Sequence, residues 1–189
     1  RSQELARRVS IRNNIIRGVS NTTTDDRSTM GIISTSVEVD MSANFVSEVS
    51  STSQLCEALY TKASFGRVSD NIVIDGGQNS NAIAIKGKLK YAPSSEKLEV
   101  SGNILRARNQ VGALGITIFG PTTDVSVEDN RLYGFLDGGI NVVGGSARRG
   151  HVRRNKLNGC GGIPIYYKVG DVIGCDVSGN EINDQYLPT

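Results

Sequence analysis

The 189-residue chain has no tryptophan, one histidine, two methionines, three cysteines and four prolines, and aromatic residues make up only 5% of it. A helical bundle, which fills the space between helices with large side chains, is excluded on that ground. Cys56, Cys160 and Cys175 neither pair completely nor stand in a CxxC or Cys/His spacing, so no disulfide scaffold and no metal or other cofactor is expected. Charge of one sign is lacking too. Lys+Arg 21 against Asp+Glu 19 leaves a net charge of +2, which makes no electrostatic case for nucleic acid or an anionic membrane. No apolar run approaches the ~20 residues of a membrane span, and the N-terminus lacks the apolar core of a secretory signal, so membrane insertion is not expected.

What the chain does have is 22 glycines and 15 asparagines, with Val, Ile and Leu in short regular clusters. Hydrophobic residues at 38% and charged ones at 21% describe a folded chain, and the length suits one domain, 1–189. Its ends, Arg1 and Leu187-Pro188-Thr189, suggest a segment of something longer.

Self-similarity is the strongest signal. Five segments superpose without gaps: VSIRNNII (9–16), LEVSGNIL (98–105), VSVEDNRL (125–132), GHVRRNKL (150–157) and CDVSGNEI (175–182). Their shared asparagines are Asn14, Asn103, Asn130, Asn155 and Asn180, and the last four are 27, 25 and 25 residues apart. A degenerate copy, NIVIDGGQ (71–78), puts Gly77 at the asparagine position. A second motif interleaves: Gly31-Ile-Ile, Ala82-Ile-Ala-Ile, Gly115-Ile-Thr-Ile, Gly139-Ile-Asn-Val and Gly162-Ile-Pro-Ile. Each is a short β-branched strand entered through a small residue.

Two or three short strands per repeat of about 25 residues, with glycine turns and no helix between, predict an all-β parallel β-helix, a solenoid of about seven coils. Val127, Val152 and Val177 should stack inward, as should Leu132, Leu157 and Ile182. The repeated asparagine suits a left-handed bend between strands and an amide stack running from coil to coil. An insertion over about 43–67 breaks the regularity. There Ser53-Gln-Leu-Cys-Glu-Ala-Leu-Tyr, with Ser53 as N-cap and Leu55 and Leu59 at i,i+4, predicts a short helix.

The pairing of GI-x-I with V-x-V-x-x-N-x-L resembles the right-handed parallel β-helix repeat of the pectin-lyase-like superfamily, which includes pectate lyases, polygalacturonases, alginate epimerases and bacteriophage tailspike depolymerases. The resemblance covers 71–182 and, less regularly, 9–42. Gly150-His151-Val152 departs from the Gly-His-Gly of polygalacturonases, and the Asp-Pro-His of alginate epimerases and the calcium cluster of pectate lyases are missing. A low-aromatic, Asn-, Gly- and Ser/Thr-rich rod is most similar to a phage tailspike or related capsule depolymerase. That likeness implies an extracellular or virion location, a homotrimer, and binding and cleavage of bacterial surface polysaccharide. A non-catalytic adhesin or structural rod, and a monomeric polysaccharide lyase or epimerase, are the alternatives.

Between the inward positions, equivalent residues of successive coils become neighbours ~4.8 Å apart. One outward row is expected to be Glu99, Ser126, His151, Asp176, and its companion Ser101, Glu128, Arg153, Ser178. The other strand gives Thr117, Asn141, Pro164, then Phe119, Val143, Tyr166. For glycan cleavage, Glu128 would be acid or nucleophile, Asp137 its partner from a neighbouring turn, and His151 a base oriented by Asp176. Arg153, Asn141 and Tyr166 would hold the sugar. The competing reading makes the charges a solvated face of weak ion pairs.

Overall fold

The computed structural model describes residues 6–21, 29–51, 56–76, 81–86, 95–108, 112–143, 147–167 and 172–183. These residues form short strands joined by turns, all paired in parallel, in four sheets that wrap one axis as a parallel β-solenoid. A valine sheet runs through Ala6–Arg12, Ser36–Ser42, Phe65–Ser69, Leu98–Ser101, Ser126–Glu128, His151–Arg153 and Asp176–Ser178. A leucine sheet follows it in every coil: Ile15–Arg17, Phe45–Ser51, Ile72–Gly76, Ile104–Arg106, Arg131–Tyr133, Lys156–Asn158 and Glu181–Asn183. An isoleucine sheet comes next, through Thr29–Ser34, Cys56–Thr61, Asn81–Lys86, Leu114–Phe119, Gly138–Val143 and Ile165–Tyr167. A short fourth sheet joins Ser95–Glu96, Thr122–Thr123, Ala147–Arg148 and Val172–Ile173.

Register converts the repeats into a core. Met41, Val68, Val100, Val127, Val152 and Val177 form one inward column, and Val46, Val73, Leu105, Leu132, Leu157 and Ile182 a second. Leu59, Ile83, Ile116 and Ile140 form the third, and all but the last coil's members are buried. Each fully buried aliphatic side chain contributes about 2 kcal/mol, which explains how the core manages without tryptophan. Packed winding amounts to about five turns rather than seven. The end coils that the repeats also count contribute mostly exposed strands, Ala6–Arg12 and Glu181–Asn183.

The valine and leucine sheets meet at a corner held by stacked asparagines: Asn14, Asn44, Asn71, Asn103, Asn130, Asn155 and Asn180. Each donates its backbone N–H and side-chain amide to Oδ1 of the next; for Asn130 and Asn155 these are 3.0 and 2.9 Å. Each from Asn44 onward also donates to a carbonyl of the coil before, as Asn130 does to Val100 at 2.9 Å. The left-handed bend falls one residue earlier than expected. Asn13, Ala43, Asp70, Gly102, Asp129, Arg154 and Gly179 all carry positive φ between 52° and 65°, while the stacked asparagines do not. The asparagine is selected for its amide, and its predecessor takes the backbone strain.

Three other expectations are corrected. Gly77 lies outside the described residues, and the asparagine of that coil is Asn71, in a copy (Val68-Ser-Asp-Asn71-Ile-Val73) with the same spacing as Val100-Ser-Gly-Asn103-Ile-Leu105. The described residues of 43–67 form strands of the solenoid itself, in the coil that carries Asn44, rather than an insertion. Ser53 to Leu55 lie outside the described residues, and Cys56–Thr61 is a strand, fully buried and paired with Thr29–Ser34 on one side and Asn81–Lys86 on the other. A helix there would strand the backbone groups of both neighbours, so the tertiary ladder overrides a local helical pattern. Finally, Asn141 aligns with Tyr166, not Pro164. Gly162 adopts φ +61° at the corner and the Pro164 carbonyl accepts the Gly139 and Ile140 amides, so the strand starts two residues later. A slip of two preserves the outward face.

Candidate functional site

Two outward faces carry chemistry. On the valine sheet the expected rows form: Glu99, Ser126, His151 and Asp176 align, as do Ser101, Glu128, Arg153 and Ser178. Side chains then pair across the rows rather than along them. Glu128 is bonded by Arg154, which also holds Asp129 at 2.9 Å, and Arg153 pairs with Asp176. Hydrogen bonds from Ser178 and Arg153 pull the Asp176 pKa below the usual carboxylate range, and Arg154 does the same to Asp129. With Asp176 turned to Arg153, the Nδ1 of His151 is buried without a hydrogen-bond partner among the described residues. Asp137 sits on another corner, between Arg131–Tyr133 and Gly138–Val143, where its amide donates to the Ala113 carbonyl at 3.2 Å. Nothing among the described residues links it to Glu128. Further down, the buried Asp40 accepts from Arg12, Arg67 and Ser42. Carboxylates kept ionised by arginines suit a cohesive charged face better than proton donation.

The outer face of the isoleucine sheet is different. Alternation puts Tyr60, Ala84, Thr117, Asn141 and Tyr166 in one row on the side opposite the Leu59–Ile140 core column. The first four are buried although the row lies outside the hydrophobic cluster. Glu57, two residues before Leu59, is 1% exposed, and a Cβ added at Gly138 in Glu57's row would fall 3.1 Å from the Asn141 Oδ1. Glu57 Oε2, Thr117 Oγ1 and Asn141 Nδ2 are buried without a hydrogen-bond partner among the described residues. Buried polar atoms are nearly always paired, so three such atoms gathered here single out this sheet.

Two ammonium groups complete it. Lys62 and Lys86 lie 5.1 and 5.4 Å from the Tyr60 ring centre, and Lys86 is 5.4 Å from that of Phe119. Burial pushes the Glu57 carboxyl up, against the pull of Lys86 and Lys62, and pushes the Tyr60 phenol up, against Lys86, which also hydrogen-bonds it. The face therefore offers a carboxyl shifted toward its neutral form, an aromatic ring, a hydroxyl, an amide and two cations. Sequence reasoning named Asn141 and Tyr166 but missed Glu57, Tyr60, Lys62 and Lys86, since 53–60 reads as a helix by its leucine spacing. Strict alternation could not have shown it either, because Glu57 and Tyr60 stand three apart with the core residues Ala58 and Leu59 between them.

No cluster of three or more His, Cys, Asp and Glu able to hold a metal exists among the described residues. Compared with protein-family models, with curated proteins and with solved structures, the chain matches none of them.

Proposed function

We propose that this β-solenoid is a carbohydrate-engaging domain of the tailspike kind, which binds bacterial surface polysaccharide on the outer face of its isoleucine sheet. The observation that carries the reading is the row of Thr117 and Asn141 beside Glu57, whose buried polar atoms have no partner among the described residues. Hydroxyl-rich sugars supply both donors and acceptors to such atoms, and the Tyr60 ring offers the apolar surface that sugar faces pack on. Parallel strands repeat these groups at ~4.8 Å, a ladder suited to a polymer rather than a small molecule.

For depolymerisation the same face supplies a proton donor in Glu57, raised by burial, beside the Tyr60–Lys86 pair. The set expected from sequence, Glu128, Asp137, His151 and Asp176, is divided between the valine sheet and a distant corner, and its valine-sheet carboxylates are engaged with arginines. A homotrimer, and residence outside the cell or on a virion, belong to this proposal. A spacer rod is the second reading, favoured by the ion-paired valine face.

A glycan-array scan followed by assay for chain shortening tests the reading. Asn141→Leu and Thr117→Val should lower binding at least tenfold while circular dichroism stays that of sheet, and Glu57→Gln should stop any shortening. Binding unchanged in the first two variants would remove this face from the site. Silence across glycans would leave the rod.

A further inference from the structure

The outer face of the leucine sheet holds an aliphatic groove with an unpaired cation at its side, and we infer that it binds a free amphiphilic anion, a fatty-acid-like molecule whose chain lies on the isoleucines and whose carboxylate meets Arg106.

The groove lies in the middle of the rod. Register puts Phe45, Ile72, Ile104 and Arg131 in one outward row of this sheet, and Ser47, Ile74, Arg106 and Tyr133 in the other. Ile72, Ile74, Ile104, Arg106 and Tyr133 line a cavity of about 290 Å³. Ile72 and Ile104 are 38% and 39% exposed although their strands are paired on both sides, so their exposure belongs to the face and not to an end of the winding. Single exposed aliphatic residues are ordinary, but three that share one cavity offer a ligand a common apolar surface.

The lining selects the ligand. Backbone groups beneath are used in the parallel ladder, and the three isoleucines carry no hydrogen-bonding atom. The floor therefore gives a hydroxyl-rich sugar nothing to bond, whereas methylene groups leave water against it favourably. The charge is one-sided too. Asp75 is held by Arg108 at 3.1 Å, while Arg106 and Arg131 have no carboxylate partner among the described residues. The neighbouring cavity, toward Phe45, sets Arg17 and Arg108 against Glu48 and Asp75, so charge balances there and the positive excess stays with Arg106 and Arg131. A guanidinium beside an aliphatic floor calls for an anionic head on an apolar body. Two rows across, the groove takes one chain, and from Ile72 to Arg131 it runs two coil spacings, ~10 Å. A bilayer is the poorer match, because the net charge is only +2 and the apolar atoms lie in a groove.

The test is titration of the 189-residue chain, labelled at its isoleucine methyl groups, with decanoate below its aggregation concentration and with decanol as the same chain without the charge. Saturable shifts of Ile72, Ile74 and Ile104 in the methyl spectrum are expected. Arg106→Gln should weaken decanoate about fivefold and leave the weaker decanol binding unchanged, a split that a merely structural role would not produce. Ile104→Thr keeps a β-branched residue at a half-exposed position and should weaken both ligands about fourfold. Shifts confined to other isoleucines, absence of saturation, or decanoate and decanol responding alike to Arg106→Gln would overturn the inference. So would an acidic oligosaccharide that moves the same three methyl groups and displaces decanoate, since the groove would then belong to the polysaccharide.

Discussion

Asn103 gives its backbone N–H, at 3.1 Å, and its side-chain amide, at 2.9 Å, to the single Oδ1 of Asn130, while its own Oδ1 accepts the same pair from Asn71. One side chain thus ties three coils together at the corner where the chain turns from the valine to the leucine sheet. Both residues are fully buried.

Replacing Asn103 by Ala leaves the Asn71 N–H, one Asn71 amide hydrogen and the Val68 carbonyl without their Asn103 partners in a place water does not reach, while Asn130 Oδ1 keeps the backbone N–H of residue 103. Each orphaned group costs about 1–3 kcal/mol, so Asn103→Ala should destabilise the fold by at least about 3 kcal/mol. A urea titration reads this as a lower midpoint, and an unmoved midpoint would show that the stack is decorative.

Ala43 precedes Asn44 with φ +52°, where glycine stands at the equivalent Gly102 and Gly179. A left-handed backbone costs a residue bearing a Cβ about 1–2 kcal/mol, partly offset by the greater freedom of glycine in the unfolded chain. Ala43→Gly should therefore raise stability by about 0.5–1 kcal/mol in the same titration. A loss would mean that the Ala43 methyl does more for packing than its backbone costs.

Gly115 lies in the strand Leu114–Phe119 close against its neighbour, and a Cβ there would sit 2.4 Å from both the Gly139 carbonyl oxygen and Leu132 Cδ2. The first of these is backbone and cannot step aside. Gly115→Ala should cost about 2–3 kcal/mol by overpacking, with the far-ultraviolet sheet signal retained at low temperature.

Glu57 makes a pH prediction whose sign follows from its raised pKa. The folded state favours the neutral carboxyl, so this group's contribution to stability is complete below the ordinary carboxylate range and is lost as pH rises through the folded value. Asp129 and Asp176, lowered by their arginine and serine partners, act oppositely: theirs is present at neutral pH and lost in acid. Stability of Glu57→Gln relative to the parent should consequently grow between about pH 4 and pH 8. A constant difference across that range would contradict the raised pKa.

Repetition made the fold legible and also set the limit of what could be read. Val127 over Val152 and Leu132 over Leu157 follow from spacing alone, because a residue 25 positions away in a parallel coil is the nearest neighbour on the same face. Where a longer loop intervened the spacing failed. Asn71 lies 32 residues before Asn103, so a period of about 25 points to Gly77 instead, and Asn44, 27 residues before Asn71, then falls out of step. The strand Cys56–Thr61 was hidden for a different reason: its identity is decided by Ile32, Ile33, Ile83 and Ile85 on the strands beside it, which no local window contains. The site suffered from the same error. Outward rows on the valine sheet were placed correctly, but whether Arg153 would choose Glu128 or Asp176 depends on side-chain reach, and it chose the residue one coil further and one row across.

Because each coil bonds only to the coils beside it, the rod can change length without changing kind. The 25 residues from Arg131 to Asn155 bring one valine strand, one leucine strand, one isoleucine strand and one stacked asparagine, and carry the chain once around the axis. Copying or removing such a block returns the backbone to the same azimuth, with the same face toward water, whereas a residue lost from within a strand would turn the rest of that strand to the opposite face. Inheritance can therefore lengthen or shorten this molecule in whole turns, and the outer row of its isoleucine sheet would gain or lose one rung with each.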